Sequence, residues 1–227
     1  MSEQRIDTVV LDVDGTLVDT VYQHTMAWVG AFASVGVDVP TYRIHRAIGM
    51  GGDRLVTEVA GQEAEDRFGD ELRSRHGERF AGVIDDVRPL PGAADLLRVL
   101  LDRGLKVVLA SSGEPEQTDR LLRLVDGSDR VDARTTSDEA ERSKPAPDLI
   151  DAAIERAGGR TAAVIGDAVW DIKAAAERHR YSIGLLSGGF GAGELRDAGA
   201  AEVFATPADL VENLDRTAIT FVDGAAG

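Results

Sequence analysis

From about residue 88 onward, short apolar runs alternate with stretches of helical periodicity, and this alternation leaves few ways to fold. The runs are "LKVVLASS" (105–112), "RVDARTT" (130–136), "TAAVIGD" (161–167), "YSIGLLS" (181–187) and "AEVFA" (201–205). Between them lie "GAADLLRVLLDRG", "EPEQTDRLLRLV", "APDLIDAAIERAGG", "WDIKAAAERH" and "GELRDAGA", each with apolar residues at helical spacing. A strand whose consecutive residues are nearly all apolar has no face to offer water, so both faces must be covered, and intervening helices provide the cover. The pattern predicts an α/β fold with a Rossmann-like parallel-sheet core. In such sheets ligands bind beyond the carboxyl ends of the strands, which is where reactive side chains are expected.

One more apolar run, "TVVL", precedes this region, and residues 18–86 interrupt the rhythm. "YQHTMAWVGAFASVG" and "AEDRFGDELRSRHGERFAGV" are helical in period, and "TYRIHRAIGMGGDRLVTEVAG" adds one or two shorter helices around a glycine turn. No strand is expected there. The chain is therefore divided into an α/β core, 1–17 and 87–227, and a helical insert, 18–86, with "RPLPGAADLL" marking the return. With 227 residues, 43% of them hydrophobic, there is enough apolar surface for a core of this kind. The absence of cysteine excludes disulfides and thiolate metal sites. A net charge of −15 disfavours nucleic acid as a partner. The amino terminus lacks the basic-then-apolar pattern of a signal peptide, and no apolar run approaches membrane-spanning length, so a soluble cytoplasmic protein with no membrane partner is expected. Nothing in the sequence sets an oligomeric state.

The strand ends carry a recurring set of side chains. The first run ends in Asp12, with Asp14 two residues on. The second ends in Ser111, Ser112 and Gly113, ahead of "EP". The "TAAVIGD" run ends in Asp167, with Asp171 four residues later, and "SKPAPD" places Lys144 before two prolines. Singly each has an ordinary explanation: an Asp-Gly turn, a helix cap, a solvated lysine. Together, several carboxylates at one sheet edge repel one another unless a cation joins them. Oxygen-only donors without His or Cys nearby suit Mg²⁺. A serine at a strand-to-helix turn offers a hydroxyl and free N–H groups to an anion, and a lysine supplies a compact positive charge. Only three lysines occur among 25 basic residues, which makes Lys144 stand out. An EF-hand loop is excluded, because Gly15 falls at its fourth position and Gln23 at its twelfth. No G-x-x-x-x-G-K-[ST] or G-x-G-x-x-G is present.

Read together, "DVDGT", "LASS", "SKPAPD" and "IGDAVWD" resemble, in order, the four motifs of the haloacid dehalogenase superfamily, and the likeness spans nearly the whole chain. The insert at 18–86 resembles the small helical cap of that family. The resemblance implies a Mg²⁺-dependent phosphatase acting through an aspartyl-phosphate. Asp12 is then the nucleophile and Asp14 the acid and base. Ser111 binds the phosphoryl group and Lys144 balances its charge. The metal falls to Asp12, Asp167 and the backbone carbonyl of Asp14, with Asp171 bound directly or one shell out. It also implies a small phosphorylated metabolite as substrate, of phosphoglycolate or sugar-phosphate type.

Dehalogenases lack the second aspartate, and phosphonate-cleaving members place a Schiff-base lysine in the cap, where this chain has none. Beta-phosphoglucomutases are closer, since "DTVYQHTMAW" is similar to their first cap helix, histidine included. They usually have a bulky apolar residue where Thr16 stands, so a phosphatase is the expected activity and a phosphomutase the alternative. Signalling receiver domains gather similar groups without turnover, but they have no insert after the first strand. Ser112, Gly113, His24, Arg46, Asp53 and Arg54 are the candidate substrate contacts.

Overall fold

The computed structural model describes residues 5–136 and 144–220. Six strands form one parallel sheet: β1 (Thr8–Leu11), β2 (Lys106–Ala110), β3 (Ala133–Thr135), β4 (Ala162–Gly166), β5 (Tyr181–Leu185) and β6 (Glu202–Phe204). Their order is β3-β2-β1-β4-β5-β6, so β1 lies inside the sheet with β2 and β4 as neighbours. The sheet is the Rossmann-like α/β core expected from the alternating runs.

Alternate strand residues face opposite layers. Val9, Leu11, Val107, Leu109, Ala163 and Ile165 point to one side, where they meet α5 (Ala93–Asp102), α6 (Pro115–Leu122) and α10 (Pro207–Asn213). Val10, Val108 and Val164 point to the other, against Leu149, Ile150 and Ala153 of α7 (Asp148–Arg156) and Ala174 and Ala175 of α8 (Val169–Ala176). Leu195 of α9 (Ala192–Ala198) packs with Ile172 of α8. Side chains such as Leu11, Leu96 and Leu97 are sealed from water, and each contributes about 1.5–3 kcal/mol by transfer alone.

Between β1 and α5 the chain forms four helices, α1 (Val21–Ser34), α2 (Thr41–Ala47), α3 (Gly52–Ala60) and α4 (Gln62–Ala81). They have a core of their own, built on Trp28, Phe32, Ile44, Leu55, Val56 and Leu72. The chain leaves and re-enters the α/β core side by side. Val18 bridges Pro89, the Asp19 N–H donates to the Arg88 carbonyl at 3.0 Å, and the Leu90 N–H donates to the Leu17 carbonyl at 2.9 Å. The insert therefore hangs from two adjacent strands of backbone. Among the described residues no helix is long and apolar enough to cross a membrane.

Candidate active site

The parallel register brings the ends of β1, β2 and β4 to one edge. Val10 is flanked by Val108 and Val164, a register that sets Asp12 level with Ala110 on one side and Gly166 on the other, with Ser111 and Asp167 one residue further along. The turn after Asp12 demands glycine. Gly15 has φ 77°, and a Cβ there would lie 2.2 Å from Asp167 Oδ2. Its N–H donates to the Val18 carbonyl at 2.8 Å, folding the chain back toward the insert.

Asp12, Asp167 and Asp171 each turn a carboxylate oxygen into a group whose members lie within 4.8 Å of one another, and all three residues are buried. Lys144, also buried, places Nζ 2.5 Å from Asp12 Oδ1 and 2.8 Å from Asp171 Oδ1, with the Ala110 carbonyl at 3.3 Å. One ammonium does not balance three carboxylates. Burial pushes Asp12 up, Lys144 pulls it back, and the charges of Asp171 and Asp14 add to the rise, leaving it at about 7. Burial, then Asp12 and Asp171, pushes Asp167 well above the carboxylate range. Burial works against the charge on Lys144, but Asp12 and Asp171 outweigh it and hold its pKa above the usual lysine value. A hard divalent cation suits this donor set, which is buried, made only of oxygen and over-supplied with negative charge. The second oxygen of Asp171 accepts the Ala168 N–H at 3.2 Å and so fixes the first turn of α8.

Asp14 stands apart from this group and faces the insert. Its Oδ1 accepts the Thr20 hydroxyl at 2.7 Å and lies 3.1 Å from His24 Nε2, while Oδ2 accepts the Ser111 hydroxyl at 3.3 Å. Thr20 occupies the N-cap position of α1 but spends its hydroxyl on Asp14 rather than on the helix. Burial would raise Asp14, yet His24, and after it Thr20 and Lys144, hold the carboxyl below its ordinary value. Behind His24 its Nδ1 meets His76 Nε2 at 3.0 Å. The two rings are clamped, His24 stacked on Phe80 at 3.8 Å and His76 on Trp28 at 4.3 Å. Burial, then His24, depresses His76 well below its usual value, so it is a neutral partner.

Ser111 accepts the Gly113 N–H at 3.0 Å and a hydrogen bond from Thr118 at 3.3 Å. Thr16 donates to Asp167 Oδ1 at 3.2 Å, which gives this residue a positioning task beyond the turn. Over Asp12 and Asp14 opens a cavity of about 380 Å³ between core and insert, at the small end of the range for ligand sites. His24, Asp53, Ser112 and Gly113 line it. Arg46 and Arg54 do not. Arg46 is paired with Glu194 and lies over the Phe190 ring in a separate groove, where it helps fasten α2 to α9. The "SKPAPD" segment is described only from Lys144 onward, and Ser143 lies outside the described residues.

His76, Trp28, Thr20 and Arg73 also belong to this site and were not among the residues expected from sequence. His76 sits in a charged helical stretch, "RSRHGERF", that carries no local motif. Only the packing of α4 against α1 brings it behind His24.

The haloacid dehalogenase-like hydrolase family model matches residues 6–177. The chain is 31% identical over 221 residues to phosphonoacetaldehyde hydrolase of Bordetella avium (strain 197N), a match covering 86% of this chain and 76% of that protein. It is also 31% identical over 183 residues to the chloroplastic protein SUPPRESSOR OF QUENCHING 1 of Arabidopsis thaliana, covering 75% of this chain but only 17% of that much longer protein. A solved hydrolase from Pseudomonas syringae superposes with a TM-score of 0.87 at 35% identity, covering 92% of this chain and 98% of that one. With the motif order, the sheet order and the clustered carboxylates in agreement with these matches, the chain belongs to the haloacid dehalogenase-like hydrolase family.

Proposed function

We propose that the protein is a Mg²⁺-dependent phosphatase that hydrolyses small phosphate monoesters through an aspartyl-phosphate on Asp12. The observation that carries this reading is the division of labour between two carboxylates two residues apart. Asp12 lies in the charged cluster beside Lys144, while Asp14 is held toward the cavity by Thr20, His24 and Ser111.

A carboxylate oxygen of Asp12 attacks phosphorus, the phosphorus–oxygen bond to the leaving group breaks, and Asp14 delivers a proton to the departing oxygen. Water then attacks the phosphoryl group while Asp14 takes its proton, which returns Asp12 as a carboxylate. The proton that Asp14 takes from water is the one it delivers to the leaving group of the next turnover, and the contacts of its carboxylate with Thr20 and His24 hold it in place for both steps. The Ser111 hydroxyl and the N–H groups after it bind the transferring oxygens, and Lys144 stabilises their charge. Mg²⁺, held by Asp12, Asp167, the Asp14 carbonyl and, directly or through water, Asp171, supplies Lewis-acid stabilisation of the same charge. The helices over residues 18–86 serve as the cap. By closing the cavity they exclude water during transfer and restrict substrates to small metabolites.

The Bordetella relative's name does not carry its activity here. Lys106 donates to the Gly158 carbonyl, Lys173 lies over Trp170 and Lys144 is bound to Asp12, so no lysine stands on the cap to form an imine. A phosphomutase is the second reading, favoured by the contact of His24 with Asp14. The test is turnover of p-nitrophenyl phosphate with Mg²⁺, with release of many equivalents of phosphate per chain. Asp12→Asn should lower it about a thousandfold or more. Activity retained in that variant rules out the nucleophile, a single equivalent rules out an enzyme, and conversion of glucose 1-phosphate to glucose 6-phosphate favours the mutase.

A further inference from the structure

We propose that His45, on the helical insert, is a positioning residue for the carboxylate cluster. Its hydrogen bond to the Gly188 carbonyl holds the loop after β5 against Asp167. Docking of the insert and binding of a divalent cation then strengthen each other, a coupling that rests on the metal reading above and deepens it.

Asp167 is positioned by backbone on both sides. A Cβ at Gly15 would lie 2.2 Å from Asp167 Oδ2, and one at Gly188 would lie 2.0 Å from the same oxygen. The place of these two glycines therefore decides where that oxygen points. They are joined to each other, because the Ser187 hydroxyl donates to the Gly15 carbonyl at 2.5 Å. The second oxygen, Oδ1, accepts the Thr16 hydroxyl at 3.2 Å.

The insert takes hold of this loop through α2. His45 Nε2 lies 3.1 Å from the Gly188 carbonyl. A carbonyl only accepts, so Nε2 carries a proton and donates, whether the ring is neutral or charged. The ring is stacked on Tyr22 of α1, with centroids 5.1 Å apart and planes 9° apart. It also abuts the turn at Gly189, φ 81°, where a Cβ would lie 2.9 Å from the same Nε2.

A second contact lies beside another acid of the cluster. Trp170 Nε1 donates to the Arg46 carbonyl at 3.2 Å, and a Cβ at Gly49 would lie 2.8 Å from that of Ala168. Ala168 and Trp170 stand at the start of α8, whose first turn carries Asp171. One short helix of the insert is thus seated on the backbone next to Asp167 and next to Asp171. When it lifts, Gly188 loses its donor and Asp167 loses a fixed wall. Groups that orient a metal ligand are worth about 10–100-fold in affinity. His45 acts one link further out, so about threefold or more is expected. By linkage, the cation must favour docking of α2 by the same factor.

The experiment titrates the full chain with Mn²⁺ alone and counts the free ion by its paramagnetic resonance signal. His45→Phe keeps a ring against Tyr22 and removes the donor, while His45→Gln restores an N–H at the place of Nε2. The Mn²⁺ Kd should rise threefold or more in His45→Phe and stay within twofold of wild type in His45→Gln. A folded His45→Phe with the wild-type Kd overturns the proposal. Equal weakening in both variants also overturns it, because the ring and not the hydrogen bond would then matter. A second arm needs no variant: saturating Mg²⁺ should slow amide hydrogen exchange over residues 41–47 of wild type about threefold, and unchanged exchange refutes the coupling. Asp167→Asn is run beside them. If it binds Mn²⁺ as wild type does, the metal reading falls and the coupling with it; if it loses Mn²⁺ while His45→Phe does not, only the coupling falls.

Discussion

Replacing Lys144 by methionine removes an ammonium while keeping most of the side chain's volume. Nζ lies 2.5 Å from Asp12 and 2.8 Å from Asp171, and all three side chains are nearly sealed from solvent. Deleting one partner of a buried ion pair costs about 3–5 kcal/mol, mostly because the remaining charge is stranded. Proton uptake limits the loss, since protonating an ordinary carboxylate at pH 7.5 costs at most about 5 kcal/mol. Asp12 already titrates at about 7, burial being the main cause, so its protonation is easier than that. The expected loss for metal-free protein at pH 7.5 is therefore about 3–4 kcal/mol. The sign of the pH dependence follows. Without the ammonium the folded cluster binds about one more proton than wild type, and the unfolded chains bind equally at these carboxylates. A folded pKa raised above the unfolded one stabilises at low pH and loses its effect as pH rises. The deficit should shrink on acidification by up to about 1.4 kcal/mol per pH unit, or about 2 kcal/mol between pH 7.5 and 6. Urea unfolding in the presence of a chelator, followed by far-UV circular dichroism, measures both quantities. A loss below about 1 kcal/mol, or one that is the same at both pH values, would refute the account of an over-charged carboxylate cluster.

Three further outcomes test other parts of the structure. A Cβ at Gly188 would lie 2.0 Å from Asp167 Oδ2 and 2.7 Å from its carbonyl. Gly188→Ala should therefore raise the Mg²⁺ concentration needed for half-maximal activity about tenfold or more, and an unchanged titration would contradict it. His76 is buried with a depressed pKa, so wild type loses stability as pH falls below about 6.5. His76→Phe should flatten that part of the urea-midpoint curve, and parallel curves would exclude a neutral buried His76. The Arg46–Glu194 pair is 39% and 47% exposed. Glu194→Gln should change unfolding free energy by less than about 1 kcal/mol, and a larger change would show that the pair does more than a surface contact.

The α/β core was legible because a sheet covered on both faces writes itself as apolar runs, and all six strands correspond to the runs read from sequence. Asp12 and Asp167 could be singled out because they follow directly on apolar runs, where local sequence reports position, and Lys144 because lysine is rare in a chain whose other bases are nearly all arginine. The cap side of the site was not legible in this way. Arg46 and Arg54 were candidates from proximity to a glycine turn, yet Arg46 turns to Glu194 and Arg54 stays out of the cavity. Arg73 and His76, which do line it, lie on a long polar helix whose facing is set by its contacts with α1 and α3. A helix carries a periodic stripe for its core but no mark for a partner supplied by another helix. Thr20 shows the same limit, since its N-cap position predicts a bond to its own helix and the hydroxyl goes to Asp14 instead.

The placement of β1 inside the sheet bears on how the chain folds. Thr8 pairs with Lys106 on one side and Ala162 on the other. The strand that leads into Asp12 thus finds its neighbours only about 100 and 150 residues later, and such long-range closures are slow compared with helix formation. The helical insert, with its own core, can condense first and bring its two ends together, shortening the path that β1 must search to reach β2. The carboxylates and the lysine, drawn from β1, β4, α8 and the segment before α7, meet only after β4 has docked. Regain of activity on refolding should therefore lag behind regain of helical signal, because the candidate site is assembled by the pairing of β1 with β4, the most distant in sequence within the sheet.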